Sequence, residues 1–137
     1  MRKSAWILLV GLLGGCASGP DYEGTCAEIS TFATPPETED LYRAVITRID
    51  DNNVVTKASY RLSPGKHRLR VVELIDDPRL GVKLRNRRYH DFEVELAPHT
   101  RYHIGAQFNA DQRFRGHDAK YWQPVVWKQT QKQCEFD

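Results

Sequence analysis

From residue 26 onward, apolar and polar positions alternate with a period of two, in short runs separated by turn formers. The sharpest runs are two neighbours. Phe92, Val94 and Leu96 oppose Asp91, Glu93 and Glu95, and after Pro98-His99-Thr100 the residues Tyr102, Ile104, Ala106 and Phe108 oppose Arg101, His103, Gly105 and Gln107. Such alternation predicts strands with one dry and one wet face. The short link predicts that these two pair as a hairpin, with the acidic row beside Arg101 and His103. Upstream, the run 41–50 places Leu41, Val45 and Ile49 on one face and Tyr42, Ala44 and Ile46 on the other. Asp51-Asn52-Asn53 tolerate positive φ, which predicts a turn and a returning strand over 54–62. Ser63-Pro64-Gly65-Lys66 is a second tight turn, and 67–75 follows as a strand whose valines and leucines suit the middle of a sheet. A weaker run over 26–33 ends at Pro35-Pro36. A last aromatic strand over 121–129 contains Pro124, which cannot donate to a ladder and so predicts a sheet edge or bulge. Between these, 109–120 is polar, contains Gly116 and reads as a loop. No helical periodicity is sustained. Six or seven short strands with regular turns predict an all-β domain, a single antiparallel β-sandwich of the transthyretin or immunoglobulin type.

The first 15 residues follow another rule. Arg2 and Lys3 precede an apolar run from residue 5 to residue 13, broken only by Gly11, and Gly14-Gly15 stand directly before Cys16. A positive start, an apolar stretch too short to span a bilayer and a small-residue site predict a secretory signal peptide over 1–15. Leu13-Gly14-Gly15-Cys16 resembles the lipobox of bacterial lipoproteins, which implies that Cys16 is acylated and becomes the first residue of the mature chain. By the same resemblance, Ala17 in place of Asp implies the outer membrane. The expected organisation is a signal peptide over 1–15, a lipidated tether over 16–25 and a β-sandwich over 26–137.

The chain has 137 residues, and the 122 that remain after residue 15 suffice for one core. Loss of Arg2 and Lys3 brings the formal charge from +2 to zero. Neutrality and export both argue against a nucleic-acid partner. Three cysteines are present. With Cys16 committed to lipid, Cys26 and Cys134 are expected to pair in an oxidising compartment, and the Cys-x-x-Cys spacing of a redox centre is absent.

Candidate chemistry is sparse. His99 and His103 are the closest pair of histidines, but one lies in a turn and the other on a strand, about 13 Å apart if the strand is extended. No metal site, and no cofactor, is therefore expected. His90-Asp91 and His117-Asp118 are sequence neighbours whose side chains diverge, and no serine stands in a Gly-x-Ser-x-Gly context. No catalytic residue is assigned. The most basic stretch carries Arg79, Lys83, Arg85, Arg87 and Arg88, a candidate surface for an anionic lipid, an acidic glycan or an acidic envelope protein. The plainer alternative is a solvated loop whose charges offset Glu93 and Glu95. Tyr121, Trp122 and Trp127, near Phe114, suit either a core or a recognition face, and core is the commoner use.

The segment from Tyr60 through Ser63-Pro64-Gly65-Lys66 and His67 to Val71 resembles the strand-turn-strand of small envelope β-sandwich modules in the transthyretin-like and PEGA-like group. The two runs at 92–96 and 102–106 resemble the next hairpin of such modules. The resemblance spans about 41–108 and implies a binding or spacer domain without shared catalytic residues. The expectation is an outer-membrane lipoprotein facing the periplasm or the cell surface. Its domain would be a non-catalytic binding or assembly accessory, with a structural spacer and an enzyme of unrecognised type as the alternatives.

Overall fold

The computed structural model describes residues 26–111 and 120–133. Among the described residues nine strands form two sheets: β1 (Ala27–Ser30), β2 (Leu41–Tyr42), β3 (Ala44–Ile49), β4 (Asn52–Asn53), β5 (Ser59–Leu62), β6 (Gly65–Glu73), β7 (His90–Leu96), β8 (Thr100–Phe108) and β9 (Trp122–Gln131). The first sheet runs β9-β8-β1-β5, with β2 beside β8 beyond the end of β1; the second runs β4-β3-β6-β7. The chain changes sheets four times, after β2, β4, β5 and β7. Two sheets with a shared apolar interior make this a β-sandwich. All strand pairs are antiparallel except β1 with β8, which is parallel.

The interior follows the alternation. β6 contributes Leu69 and Val71, β7 Val94 and Leu96, and β8 Tyr102, Ile104, Ala106 and Phe108, all buried. The strand at 67–75 is central, between β3 and β7. Pro124 lies on β9, an edge strand that pairs with β8 alone. Tyr121 and Trp122 belong to the core, 1% exposed each.

Two sequence expectations are corrected. The first is the hairpin of 41–50 with 54–62. Only the two-residue β4 turns back on β3, and β5 crosses to pair with β1. The run 41–50 is itself cut at Arg43, where the chain passes between sheets. A register shift between Ile46 and Arg48 inserts one residue, so Ala44, Ile46 and Ile49 all point inward instead of alternating. The second is the 92–108 hairpin. β7 and β8 exist as expected but lie in opposite sheets, because the link at 97–99 crosses the core. The acidic row therefore faces β6. Lys66, Arg68 and Arg70 stand opposite Glu95, Glu93 and Asp91, and Arg101 pairs instead with Glu28 at 2.9 Å. The all-β sandwich itself is as expected, its sheets antiparallel apart from the β1–β8 pair. The resemblance segment around Ser63-Pro64 joins strands of different sheets.

The strand order gives the sandwich two ends. At one, Ala27 pairs with Leu62, Gly65 with Leu96, and the His99 N–H donates to the Cys26 carbonyl at 2.7 Å. At the other lie Ala44 opposite Glu73 and Val71 opposite His90, followed by the basic segment. β6 joins the ends, and its nine residues span about 30 Å at about 3.3 Å each.

Candidate functional site

Glu73 shares its parity on β6 with Leu69 and Val71, so its carboxylate enters the core. A carboxylate buried there requires partners. Three groups serve it: the Tyr121 hydroxyl at 2.8 Å, the Arg87 Nη1 at 3.3 Å and the Ile75 N–H at 2.8 Å; the Tyr121 oxygen in turn accepts from the Arg88 N–H at 3.1 Å. The Trp122 Nε1 donates to the Arg88 carbonyl at 3.0 Å. Burial, with the Glu73 charge adding to it, raises the Tyr121 pKa and keeps the hydroxyl protonated as a donor. The cluster nails the end of the basic segment to the core.

A second cluster fixes its beginning. Arg79 pairs with Asp77 at 2.7 Å and Asp40 at 2.6 Å, and the Tyr42 hydroxyl donates to Asp77. The hydrogen bonds from Arg79 and then Tyr42 hold the Asp77 carboxyl well below its usual range. Between the clusters, Leu80 and Val82 are buried while Leu84, on a 3-10 turn (Leu84–Asn86), is 82% exposed.

The five cations singled out in the sequence thus have different employments. Arg79 and Arg87 are bound to carboxylates, and Arg88 Nη1 donates to the carbonyls of Arg87 and Arg85 at 3.2 and 3.5 Å. Lys83 and Arg85 are exposed, and their side chains form no ion pair with a described residue. Together, β6 and the segment enclose a groove of about 320 Å³ lined by Val72, Glu73, Leu74, Leu84, Arg87, Arg88 and Tyr89. The sequence reading missed its walls. Leu74 and Tyr89, 45% and 50% exposed, both line the groove, where β6 runs on past the start of β7. Glu73 was legible from its parity alone.

At the opposite end, the His67 Nδ1 meets Asp50 Oδ2 at 2.6 Å and its Nε2 meets the Ser63 carbonyl at 2.7 Å, with the Ser63 Oγ at 3.4 Å. The trio has the residue types of a hydrolase triad but not its geometry. A carbonyl can only accept, so Nε2 is a donor and is not available as a base toward Oγ. The burial that would raise the Asp50 pKa is outweighed by the Arg68 N–H and by His67, which lower it. The arrangement clasps two turns.

The remaining histidines lie elsewhere. His90 packs edge-on against Trp122, and His99 sits at φ 59° in the turn before β8. His103 is 4% exposed on the outer face of the first sheet, between Phe32 and Trp127. Burial, then the charges of Arg101 and Lys128, lowers its pKa. Among the described residues no three His, Cys, Asp or Glu side chains gather around a cation position. Cys16, Cys134, Phe114 and His117 lie outside the described residues, as do residues 1–15 and most of the loop at 109–120. Cys26 is fully buried. Compared with known families, curated proteins and solved structures, the chain gives no match.

Proposed function

We propose that the protein is an envelope lipoprotein, acylated at Cys16 and held at the outer membrane, whose sandwich is a non-catalytic binding or assembly module related to the transthyretin-like and PEGA-like group. The anchor rests on Arg2, Lys3, the apolar run and Leu13-Gly14-Gly15-Cys16. The observation that carries the binding role is the groove beside β6, with Leu74, Leu84 and Tyr89 in its walls and Arg87 and Arg88 in its lining, and with both flanks of the segment that forms it tied to buried carboxylates. A loop that served only for solubility has no use for such fixation, which pre-organises a surface for a partner. The groove lies at the end of the sandwich opposite Cys26, where the tether enters. A tethered module would present it away from the bilayer that holds the anchor. The imidazole of His67, spent on a carbonyl and a carboxylate, supports the non-catalytic reading.

Cys26 pairs with Cys134 in this proposal. The His99 peptide touches both neighbourhoods, its N–H donating to the Cys26 carbonyl and its carbonyl accepting from the Lys132 N–H at 2.9 Å, two residues short of Cys134. The test is to purify the full chain from gently solubilised envelopes and weigh its N-terminal peptide and its partners. The expected result is an acylated Cys16 and a stoichiometric partner that is lost in the Lys83→Gln, Arg85→Gln variant. An unmodified N-terminus removes the anchor, and retention of the partner by the variant removes the groove from the binding role.

A further inference from the structure

The groove is built before anything enters it. Its outer wall, Tyr89, is half exposed, yet the Arg70 guanidinium lies 3.9 Å from the ring centroid and is itself held by Asp91 at 2.9 Å. An exposed ring clamped on one face loses little freedom when a ligand covers the other. The floor is the Arg87–Glu73 pair, whose charges cancel, and Leu74 and Leu84 complete the walls. The walls therefore favour an apolar body. With Arg88 the lining carries one positive charge in excess, and Lys83 and Arg85, both exposed, flank the wall residue Leu84 along the chain. The volume, about 320 Å³, falls at the small end of small-ligand sites.

We propose that this groove binds an anionic amphiphile, a molecule with one apolar chain or ring system and a single carboxylate or phosphate. The chain lies between Leu74, Leu84 and Tyr89, and the head group meets Lys83 and Arg85. The inference rests on the groove being a binding surface and names the chemistry it takes. Two sources share that chemistry: a soluble amphiphile that fills the groove alone, and a lipid presented by a membrane.

The test uses the full chain carrying Cys16→Ser, so that no acyl group of its own competes. The probes are dodecyl phosphate below its micelle concentration, dodecanol, inorganic phosphate, and phosphatidylcholine vesicles with and without phosphatidylglycerol. Dodecyl phosphate is expected to bind saturably at one site, dodecanol at least tenfold more weakly, and inorganic phosphate not at all. Lys83→Gln with Arg85→Gln should weaken dodecyl phosphate about 25-fold, taking about fivefold per charge, and leave dodecanol unchanged. Leu84→Gln should weaken both. All three side chains are exposed, so an unchanged thermal midpoint will show that the fold is intact. Vesicle binding that needs phosphatidylglycerol and is blocked by dodecyl phosphate would assign the membrane source; binding of free dodecyl phosphate alone would assign the soluble one. No saturable binding, or binding indifferent to Lys83, Arg85 and Leu84, overturns the proposal. A protein partner that occupies the groove and is not displaced by dodecyl phosphate overturns the ligand class while the binding surface stands. A chain that takes neither partner nor probe removes both.

Discussion

At Gly105 the outer face of the first sheet has no room for a side chain. A Cβ there would stand 2.9 Å from Trp127 Cδ1 and 3.1 Å from the Tyr42 carbonyl oxygen. The indole is a side chain and can shift, but the Tyr42 oxygen is backbone of a paired strand and does not yield. Gly105→Ala is expected to cost about 1–3 kcal/mol, read as a lower midpoint in urea unfolding. His103, two residues back, makes a prediction of opposite kind. Its folded pKa is lowered, so the unfolded chain binds the proton more readily and stability rises with pH. Stability should fall as pH drops through about 6.5, the unfolded value. Thermal melts of the parent and of His103→Gln across pH 5–8 check this, and the variant should lose that part of the slope. The inward place of Glu73 could be read from its spacing to Leu69 and Val71. Its partners could not, because Arg87 and Tyr121 stand 14 and 48 residues away and no local pattern couples them.

Among elements, strands were legible and neighbours were not. The alternation identifies the inward faces of β7 and β8 correctly, although the row of β8 expected to be wet is buried at His103 and Gly105, and a period of two is the same whether a strand pairs with its sequence neighbour or crosses to another sheet. The three-residue link at 97–99 is short enough for either. The bulge at 46–48 was hidden for a related reason: an inserted residue leaves composition untouched and shows only as an inward Ile49 of opposite parity to Ala44 and Ile46. The edge place of β9 was legible because Pro124 lacks a donor. For the basic segment, charge could be counted but its assignment depended on tertiary partners. Tyr121→Phe would leave Glu73 Oε2 without its hydroxyl donor and the Arg88 N–H without its acceptor, and is expected to cost about 1–3 kcal/mol. Hydrogen exchange should show the segment at 84–90 loosening first. At the other flank, the depressed Asp77 pKa stabilises the fold above about pH 4, its unfolded value, and that contribution is lost as pH falls toward the folded value. Arg79→Met removes the main cause of the depression and should shift acid unfolding to higher pH.

Across the whole molecule, the two ends of the sandwich are built differently. The end at Cys26 gathers the turn at 63–65, the His67–Asp50 clasp and the His99 peptide that links the first strand to the last. In the proposed account it bears the anchor and the Cys26–Cys134 bond. A loop of that length contributes about 4–5 kcal/mol in the chain-entropy picture. Cys134→Ser should lower the thermal midpoint by an amount that a reductant reproduces in the parent. The other end carries the groove. The measurement closest to the central claim is site-specific photo-crosslinking of the full chain in its own envelope, from position 84 at the groove and from position 66 at the anchored end. The account predicts an adduct from 84 that vanishes in Lys83→Gln, Arg85→Gln and is absent from 66. Equal adducts from both positions, or none from 84, would contradict it.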